Sequence, residues 1–457
     1  MKRKIARSLV FLFCFLLSLS LVFSGCGGTN STQSSSSSHQ ENSSTGIAQE
    51  PGESTAKLSG SITYWSHNGP AFIDANKQII EKYRSKNPDV KINYQNFPFD
   101  VLQEKMKASY AAKSESDIQQ IFGTWATQYT KYGLFDEVQG LTLENAKSIF
   151  YEPCFAGYMY DGKIFGIPRE YNIECGGVLY YPDKLKEAGM SNFPTTYDEL
   201  VTTAQKVTKH DAQGNITQVG FDFITEDNIP YTFLSFILQL GGKYWTDDNK
   251  HVVFTSPEAE KSMQALVDLI VKYKVTDFKH LPKTEDTSDY FFKGLSTMCY
   301  RGPWTIPVGL DQYKVTNFQY GKMPVFGGGT TFSFAAPTGW GEVVSANSKN
   351  KEIAWDFVKF ATSDENSALF NAATFTIPAV RAVAESSDFR QKMPMMVSSL
   401  DVLANGVHIG NFPNASFFKK TVYDNFERTV QGAQDVKTAL KTIEDIINKN
   451  IDDAAKQ

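Results

Sequence analysis

The chain has 457 residues, of which 41% are hydrophobic, 21% charged and 13% aromatic. This composition is typical of a globular protein with large cores and excludes a disordered or fibrous chain, and the length predicts two domains. The formal charge of −5 argues against nucleic acid and anionic lipid as ligands.

Residues 1–25 have the pattern of a secretory signal peptide. Four Lys and Arg side chains precede the apolar run "LVFLFCFLLSLSLVF", and small residues follow it. The final "FSGC" resembles a bacterial lipobox, in which the cysteine is acylated and becomes the first mature residue. We therefore expect a lipid on Cys26, and the alternative is a retained transmembrane anchor. Loss of the four basic residues takes the formal charge from −5 to −9.

The next segment, residues 26–57, is rich in Ser, Gly and Gln and has hardly any apolar side chains. Such a segment cannot form a core, so we expect a flexible tether. No later stretch of the sequence is long and apolar enough to span a bilayer. Together with an acylated Cys26, the tether predicts a globular body held at the outer face of the cell membrane.

The body begins with a predicted strand, helix and strand. Residues 60–67 ("GSITYWSH") and 90–97 ("VKINYQNF") alternate in polarity as strands do. Between them, four hydrophobic residues recur at helical spacing: Phe72, Ala75, Ile79 and Tyr83. This order predicts a parallel sheet and an α/β architecture.

Further helices are predicted downstream from their start signals. Thr196 and Glu199 have capping-box spacing. Ser256 has the position of an N-cap, with Pro257 at the first helical position. Two more amphipathic helices are predicted, at residues 350–363 and 433–451.

Motifs that carry catalysis or bind metals and phosphates are absent from the sequence. It contains no HExxH, CxxC, P-loop or GxSxG motif, and its six His are scattered. We therefore expect no metal and no cofactor. Cys154, Cys175 and Cys299 remain in the mature body, and this odd number predicts at least one free thiol.

Four tryptophans lie at strand ends or in glycine-flanked loops: Trp65, Trp125, Trp304 and Trp340. Any one of them alone is more often a packing residue, but four in such positions favour a shared aromatic-lined cleft. A sugar ring has a C–H face that a flat indole covers and a rim of hydroxyls that carboxylates and amides bind. By contrast, Trp355 lies in a predicted helix and is expected in a core, while Trp245 fits either environment.

Four segments resemble, in order, the motifs of family 1 extracellular solute-binding proteins, to which maltose-binding proteins belong. They are "YDGKIFGIPREYNIECGGVLYYPDKLKEAGMSNFPTTYDELVTTAQKVT", "FFKGLSTMCYRGPWTIP", "GWGEVVSANSKNKEIAWDFVKFATSDENSALF" and "FTIPAVRAV". The resemblance extends from about residue 60 to the C-terminus. One difference is Tyr181, where the family usually has Asn.

The resemblance implies an α/β, two-lobed fold of the periplasmic-binding-protein type (type II), with the ligand cleft at the hinge. The expected lobes are residues 58–168 plus 341–380, and residues 169–340 plus 381–457. Such proteins close around their ligand by hinge bending. They then dock on the membrane subunits of an ABC importer, and we expect a monomer.

The resemblance also implies the ligand contacts. In a maltose-binding member, the Trp of the Gly-Pro-Trp element stacks on a sugar ring, which makes Trp304 the strongest candidate. Glu174 matches a sugar-binding Glu of that relative, and Phe418 lies beside an aromatic contact but is expected to pack in the core. The expected ligand-binding residues are Trp65, His67, Asn68, Trp125, Tyr171, Asn172, Glu174, Arg301, Trp304 and Trp340.

The loop tryptophans, the signal peptide and the family resemblance together predict a lipid-anchored protein that binds a saccharide. We expect the saccharide to be an oligosaccharide and the protein to have no enzymatic activity. Within the same family, the alternative is another solute, such as an oligopeptide, a polyamine or a glycerophosphodiester. An exported glycosidase and a surface adhesin are alternatives of other classes.

Overall fold

The computed structural model describes residues 57–173, 176–280, 286–328 and 332–456. The predicted signal peptide, Cys26 and all of the tether except its last residue lie outside the described residues, and so do Glu174 and Cys175. Within the described ranges, no helix has the length and apolar character needed to cross a bilayer.

The body alternates strands and helices along its length. The strands are β1 Gly60–His67, β2 Val90–Phe97, β3 Ile118–Phe122, β4 Met159–Tyr160, β5 Lys163–Ile164, β6 Ile167–Pro168, β7 Glu170–Tyr171, β8 Gly177–Tyr180, β9 Lys209–His210, β10 Ile216–Asp222, β11 Ser296–Tyr300, β12 Gln319–Lys322, β13 Phe334–Ala336, β14 Trp340–Val344, β15 Ile377–Pro378 and β16 Gly406–His408. The helices are α1 Pro70–Lys86, α2 Phe99–Ala112, α3 Gly123–Thr130, α4 Leu143–Ile149, α5 Glu152–Ala156, α6 Pro182–Glu187, α7 Tyr197–Val207, α8 Asn228–Gln239, α9 Pro257–Val271, α10 Thr287–Phe292, α11 Lys351–Ala361, α12 Asp364–Thr374, α13 Arg381–Ala384, α14 Ser387–Lys392, α15 Val397–Leu400, α16 Ala415–Val430 and α17 Val436–Ala455. Short 3-10 turns at Pro303–Thr305, Pro394–Met396 and Leu403–Asn405 and a π-helical turn at Val308–Gln312 complete the assignment.

The first sheet has five strands in the order β2-β1-β3-β14-β6. β1 runs parallel to β2, with Ile62 opposite Ile92, and parallel to β3 on its other side. β14 is antiparallel to both β3 and β6. The predicted strand–helix–strand opening and its parallel pairing are therefore confirmed.

The second sheet also has five strands, in the order β12-β8-β11-β10-β9. β10 and β11 are parallel, with Phe221 opposite Met298, and β8 runs antiparallel to both β11 and β12. Two separate mixed sheets in a chain that alternates strands and helices fit an α/β architecture. The exact lobe boundaries given above stay a prediction.

Two short ladders join segments that are distant in the sequence. β7 pairs antiparallel with β15, and β13 pairs parallel with β16. The chain leaves the first sheet after β6 and returns to it at β14. Residues 169–172 and 338–340 therefore lie at the points where the chain passes out of this sheet and back into it.

The predicted helix starts are confirmed. Thr196 accepts the N–H of Glu199 and forms a complete capping box at α7, and Ser256 caps α9 with Pro257 in its first turn. The predicted stripe of α1 is buried at Phe72, Ala75, Ile79 and Tyr83. These local signals succeed because each depends on residues close in sequence.

Two of the three body cysteines lie within the described residues. Cys154 and Cys299 are free and fully buried. Burial raises the pKa of both thiols well above the ordinary value, so both stay protonated at neutral pH. This agrees with the expectation of at least one free thiol.

Candidate ligand-binding cavity

A cavity of about 340 Å³ lies where strand ends and helix starts of the body converge. His67 ends β1, Phe99 starts α2, Trp125 lies in the first turn of α3, and Trp340 starts β14. Strand ends are the expected place for ligands in α/β sheets. The lining residues are His67, Phe72, Phe99, Phe122, Thr124, Trp125, Glu170, Asn172, Asp227, Tyr231, Arg301, Trp304, Trp340, Ala415, Ser416 and Lys419.

One wall of the cavity is a connected set of aromatic rings. Trp340 stacks on His67 with centroids 4.6 Å apart and meets Trp125 edge to face at 5.5 Å. Phe122 packs edge to face on Trp340 at 5.5 Å, and Phe99 contacts Trp125 at 4.9 Å. These edge-to-face contacts fix the ring orientations before any ligand arrives.

Trp304 reaches the cavity from the turn that follows β11. A Cβ at position 302 would lie only 2.6 Å from Cδ1 of Trp304, so Gly302 lets the indole lie against the backbone. The guanidinium of Arg301 lies 4.9 Å from the Trp304 ring centroid, as in a cation–π contact. The Gly-Pro turn thus serves to present the largest side chain to the cavity.

Arg301 is held in that position by Asp286. Nε of Arg301 donates to Oδ1 of Asp286 at 3.2 Å, and a second guanidinium nitrogen donates to Oδ2. Burial alone would raise the pKa of Asp286, but the charge and hydrogen bonds of Arg301 and the hydrogen bonds of Ser288 hold it below its ordinary value. The pair therefore stays ionised.

Polar groups enter the cavity from the segment 169–172, which is bonded to the segment 338–340. Asn172 donates its backbone N–H to the carbonyl of Thr338 at 2.7 Å, and the N–H of Trp340 donates to Glu170 Oε1 at 3.3 Å. The Glu170 carboxylate and the side chain of Asn172 thus line the same cavity as the indole of Trp340. This is the pairing of a flat apolar surface with polar groups that a sugar ring requires.

Each of the two cationic side chains of the lining forms an ion pair with a carboxylate. Lys419 forms an ion pair with Asp227, and Arg301 pairs with Asp286 just outside the lining. The lining itself carries two cations, Arg301 and Lys419, and two anions, Glu170 and Asp227. The formal charges of these four side chains sum to zero. The lining therefore does not favour a strongly charged ligand.

His67 is held neutral in the cavity wall. Burial, with a smaller contribution from the Arg169 charge, lowers the pKa of His67 to about 3. Nδ1 accepts the backbone N–H of Gly69 at 3.3 Å, which places the ring proton on Nε2. Nε2 is buried and has no hydrogen-bond partner among the described residues.

A buried polar network lies beneath this wall. Arg169 donates to Glu342 Oε1 at 3.0 Å and to Asn76 Oδ1 at 2.7 Å, and the Tyr64 hydroxyl donates to Glu342 at 2.6 Å. Burial raises the pKa of Glu342 against the opposing effect of Arg169. The network ties β1, α1 and β14 to the residue that precedes Glu170, and so fixes the base of the site.

The structure brings six of the sequence-predicted residues together: His67, Trp125, Asn172, Arg301, Trp304 and Trp340. Three others do not line the cavity. Trp65 packs against Phe97 at 5.8 Å and under Lys105, and Asn68 is exposed outside the lining. Tyr171 is buried and donates to the Leu403 carbonyl at 3.3 Å. Glu174 lies outside the described residues.

The structure also shows where the other aromatic residues considered in the sequence lie. Trp355 is buried in α11 and donates to Asp136 at 2.9 Å, so it is a core residue. Phe418 is buried against Phe412, with centroids 4.0 Å apart. Trp245 donates to the Ile409 carbonyl at 2.8 Å and is not among the cavity residues.

The sequence did not indicate the remaining lining residues. A signal existed for Glu170, because residues 170 and 172 of an extended segment point to the same side while Tyr171 points away. Phe99 also had a signal, since it directly follows a strand end. Lys419 and Ser416 had none, because only packing of α16 against the body brings them to the cavity. Within the described ranges, no group of His, Cys, Asp and Glu could hold a metal.

A sequence model of the bacterial extracellular solute-binding proteins matches residues 78–396. This chain is a bacterial extracellular solute-binding protein. The solute-binding protein is 24% identical over 348 residues to a binding protein of Brucella abortus strain 2308, across 75% of this chain and 78% of the relative.

Solved structures share the fold. The cyclic α-maltosyl-1,6-maltose binding protein from Arthrobacter globiformis superposes with a TM-score of 0.73 at 21% identity, over 87% of this chain and 100% of the other. An ABC transporter solute-binding protein from Thermotoga lettingae, bound with α-D-tagatose, superposes with a TM-score of 0.70 at 21% identity. The match covers 86% of this chain and 100% of the other. The expected two-lobed α/β fold is therefore confirmed for this solute-binding protein.

Proposed function

We propose that this solute-binding protein binds a saccharide in the cavity and delivers it to the membrane subunits of an ABC importer, without chemical conversion. The observation that carries the proposal is the convergence of Trp125, Trp304 and Trp340 on one cavity. Their indoles offer flat apolar surfaces, and polar lining groups such as Glu170 and Asn172 offer hydrogen bonds to hydroxyls.

The charge of the cavity supports an uncharged ligand. Lys419 is paired with Asp227 and Arg301 with Asp286, so neither cation is left to bind a phosphate or carboxylate. A polyamine would require unpaired carboxylates around it, and Asp227 already has a cationic partner. The saccharide ligands named for the Arthrobacter and Thermotoga proteins agree with this choice.

The proposed location is the outer face of the cell membrane. The family is extracellular, and the sequence adds a signal peptide with a cysteine at its predicted cleavage site. We propose that lipid chains on Cys26 hold the protein there, since each buried methylene contributes roughly 0.8 kcal/mol to membrane binding. The segment 26–57 would give the body freedom to reach the importer.

A thermal-shift screen over mono- and oligosaccharides tests the ligand class. A sugar at a hundred times its dissociation constant is expected to add roughly 2.7 kcal/mol to the free energy of unfolding. Chromatography of the same mixtures should show unchanged sugars. Release of shorter products would instead indicate a glycosidase.

Trp304→Ala tests the site. We expect the dissociation constant for the best sugar of the screen to rise at least about tenfold, because a stacked indole is lost, while the melting temperature stays close to that of the wild type. Isothermal titration calorimetry measures the change. The matched control is Trp245→Ala, a loop tryptophan outside the cavity lining. Equal affinity in both variants would remove Trp304 from the site.

A further inference from the structure

Phe99 has an unusual position among the cavity residues. It lines the cavity, yet 47% of its surface is exposed to solvent. Among the lining residues that the structure describes, only Phe99 and Ser416 are exposed, and every other aromatic ring is buried or partly buried. Phe99 therefore lies where the cavity opens to solvent, which is called its mouth below.

The Phe99 ring continues the aromatic wall outward. It meets Trp125 edge to face at 4.9 Å and Trp340 edge to face at 5.8 Å, and both indoles are buried. The contacts hold the ring from the inner side while its outer part lies in water. A ring fixed in this way loses little conformational freedom when a ligand covers it.

The enclosed space is small for a long ligand. At about 340 Å³ it lies near the lower end of the range of roughly 300–1,000 Å³ for ligand pockets. One or two sugar rings suit that volume, whereas a longer chain would have to pass through the mouth. A chain that leaves the cavity there meets the exposed part of Phe99.

We propose that the ligand is an oligosaccharide longer than the enclosed cavity, and that Phe99 forms its outermost subsite by stacking on a ring at the mouth. This inference depends on the proposed saccharide function. It makes Phe99 a residue that selects for chain length, because a short sugar held against Trp304 inside the cavity does not need it.

The test compares chain lengths in the full chain by calorimetry. The probes are maltose, maltotriose and maltotetraose, and in parallel cellobiose, cellotriose and cellotetraose. In Phe99→Ala we expect the tri- and tetrasaccharide of the bound series to lose affinity by about tenfold, and the disaccharide by less than about twofold. Phe99→Tyr keeps the ring and is expected to keep the preference for length.

The matched control is Tyr160→Ala, which removes an aromatic ring that is 41% exposed and lies outside the cavity lining. It should leave all affinities unchanged. The wild type must first bind one of the two series. If Phe99→Ala then lowers the affinities for the di- and trisaccharide equally, or lowers neither, the outer subsite is refuted while the saccharide function stands. If the wild type binds none of these six sugars, the chain-length proposal fails, whereas the saccharide function fails only if the thermal-shift panel of mono- and oligosaccharides shows no binding either.

Discussion

His67 is kept neutral by its surroundings. Its pKa of about 3 leaves the imidazole neutral from pH 5 upward, and Gly69 fixes the tautomer. The ring therefore keeps its proton on Nε2 across the whole physiological range. We expect no change in ligand affinity between pH 5 and 8 from the titration of this residue.

Stability, in contrast, should depend on pH through His67. The unfolded chain binds a proton at this histidine below its ordinary pKa of about 6.5, whereas the folded chain does so only near pH 3. The folded state therefore loses stability as the pH falls from 6.5 toward 3. Between pH 7.5 and 5 the loss amounts to roughly 2 kcal/mol.

His67→Gln removes this dependence. Urea unfolding at pH 7.5 and 5 is expected to show a smaller difference in the free energy of unfolding for the variant than for the wild type. His210→Gln, at an exposed position on β9, is the control and should behave as the wild type. The same pH dependence in His67→Gln and the wild type would contradict the buried neutral state.

The sequence predicted the positions of some cavity residues correctly and those of others wrongly. Trp304 could be predicted because it belongs to a Gly-Pro-Trp element that resembles a family motif, and because it is one of four tryptophans at strand ends or in loops. Trp65 was expected in the site but lies deeper in β1, two residues before His67 and beneath Phe97 and Lys105. Alternation gives the face of a strand but not the depth along it.

Among the elements, the junction of β3 and α3 positions Trp125. Gly123 lies at this junction, and a Cβ there would meet the Thr338 side chain, with Cβ to Cβ at 2.7 Å. Thr338 itself has a φ of 77°, a conformation unfavourable for a β-branched residue. The two segments that carry Trp125 and Trp340 are thus packed without space between them.

Gly123→Ala is expected to lower the free energy of unfolding by about 1–3 kcal/mol, since the new methyl overlaps Thr338. It should also weaken sugar binding, because α3 moves with Trp125. Circular dichroism melting and calorimetry measure the two effects. The double variant with Thr338→Gly removes the overlapping atoms and relieves the positive φ, so stability should return. A double variant no more stable than Gly123→Ala would contradict this packing.

Strands and helix starts could be predicted to within a residue where the signal lies in a short stretch of sequence. β1 and β2 begin and end at the residues that alternation indicated, and the caps of α7 and α9 were evident in the sequence. The pairings β7–β15 and β13–β16 join segments about 70 residues or more apart in strands of two or three residues. Such short strands carry no periodicity that a sequence could display.

At the scale of the whole molecule, the proposed attachment through Cys26 decides where the protein acts. Cys26→Ser is expected to move the protein from the membrane fraction to the medium, because it removes the only proposed site for lipid. Immunoblots of both fractions measure the change. Cys14→Ser alters the other cysteine of the leader and should leave the protein on the membrane. Retention of Cys26→Ser in the membrane would indicate an uncleaved transmembrane anchor.

The two-lobed architecture could be inferred before the structure, but mainly from the order of family motifs. Periodicity alone indicated an α/β body. It could not assign β14 to the first sheet, since that strand follows the strands of the second sheet in the chain. Lys419 likewise reaches the cavity only through the packing of α16, a long-range arrangement that local patterns do not encode.

The placement of the indoles has a practical consequence. Trp125, Trp304 and Trp340 border the cavity, whereas Trp65, Trp245 and Trp355 are held elsewhere in the body. An occupant would alter the polarity around the first three and leave the emission of the other three as a constant background. With the ligand in the proposed cavity, the intrinsic fluorescence of the protein reports occupancy, and titrations can be followed without a dye or a label.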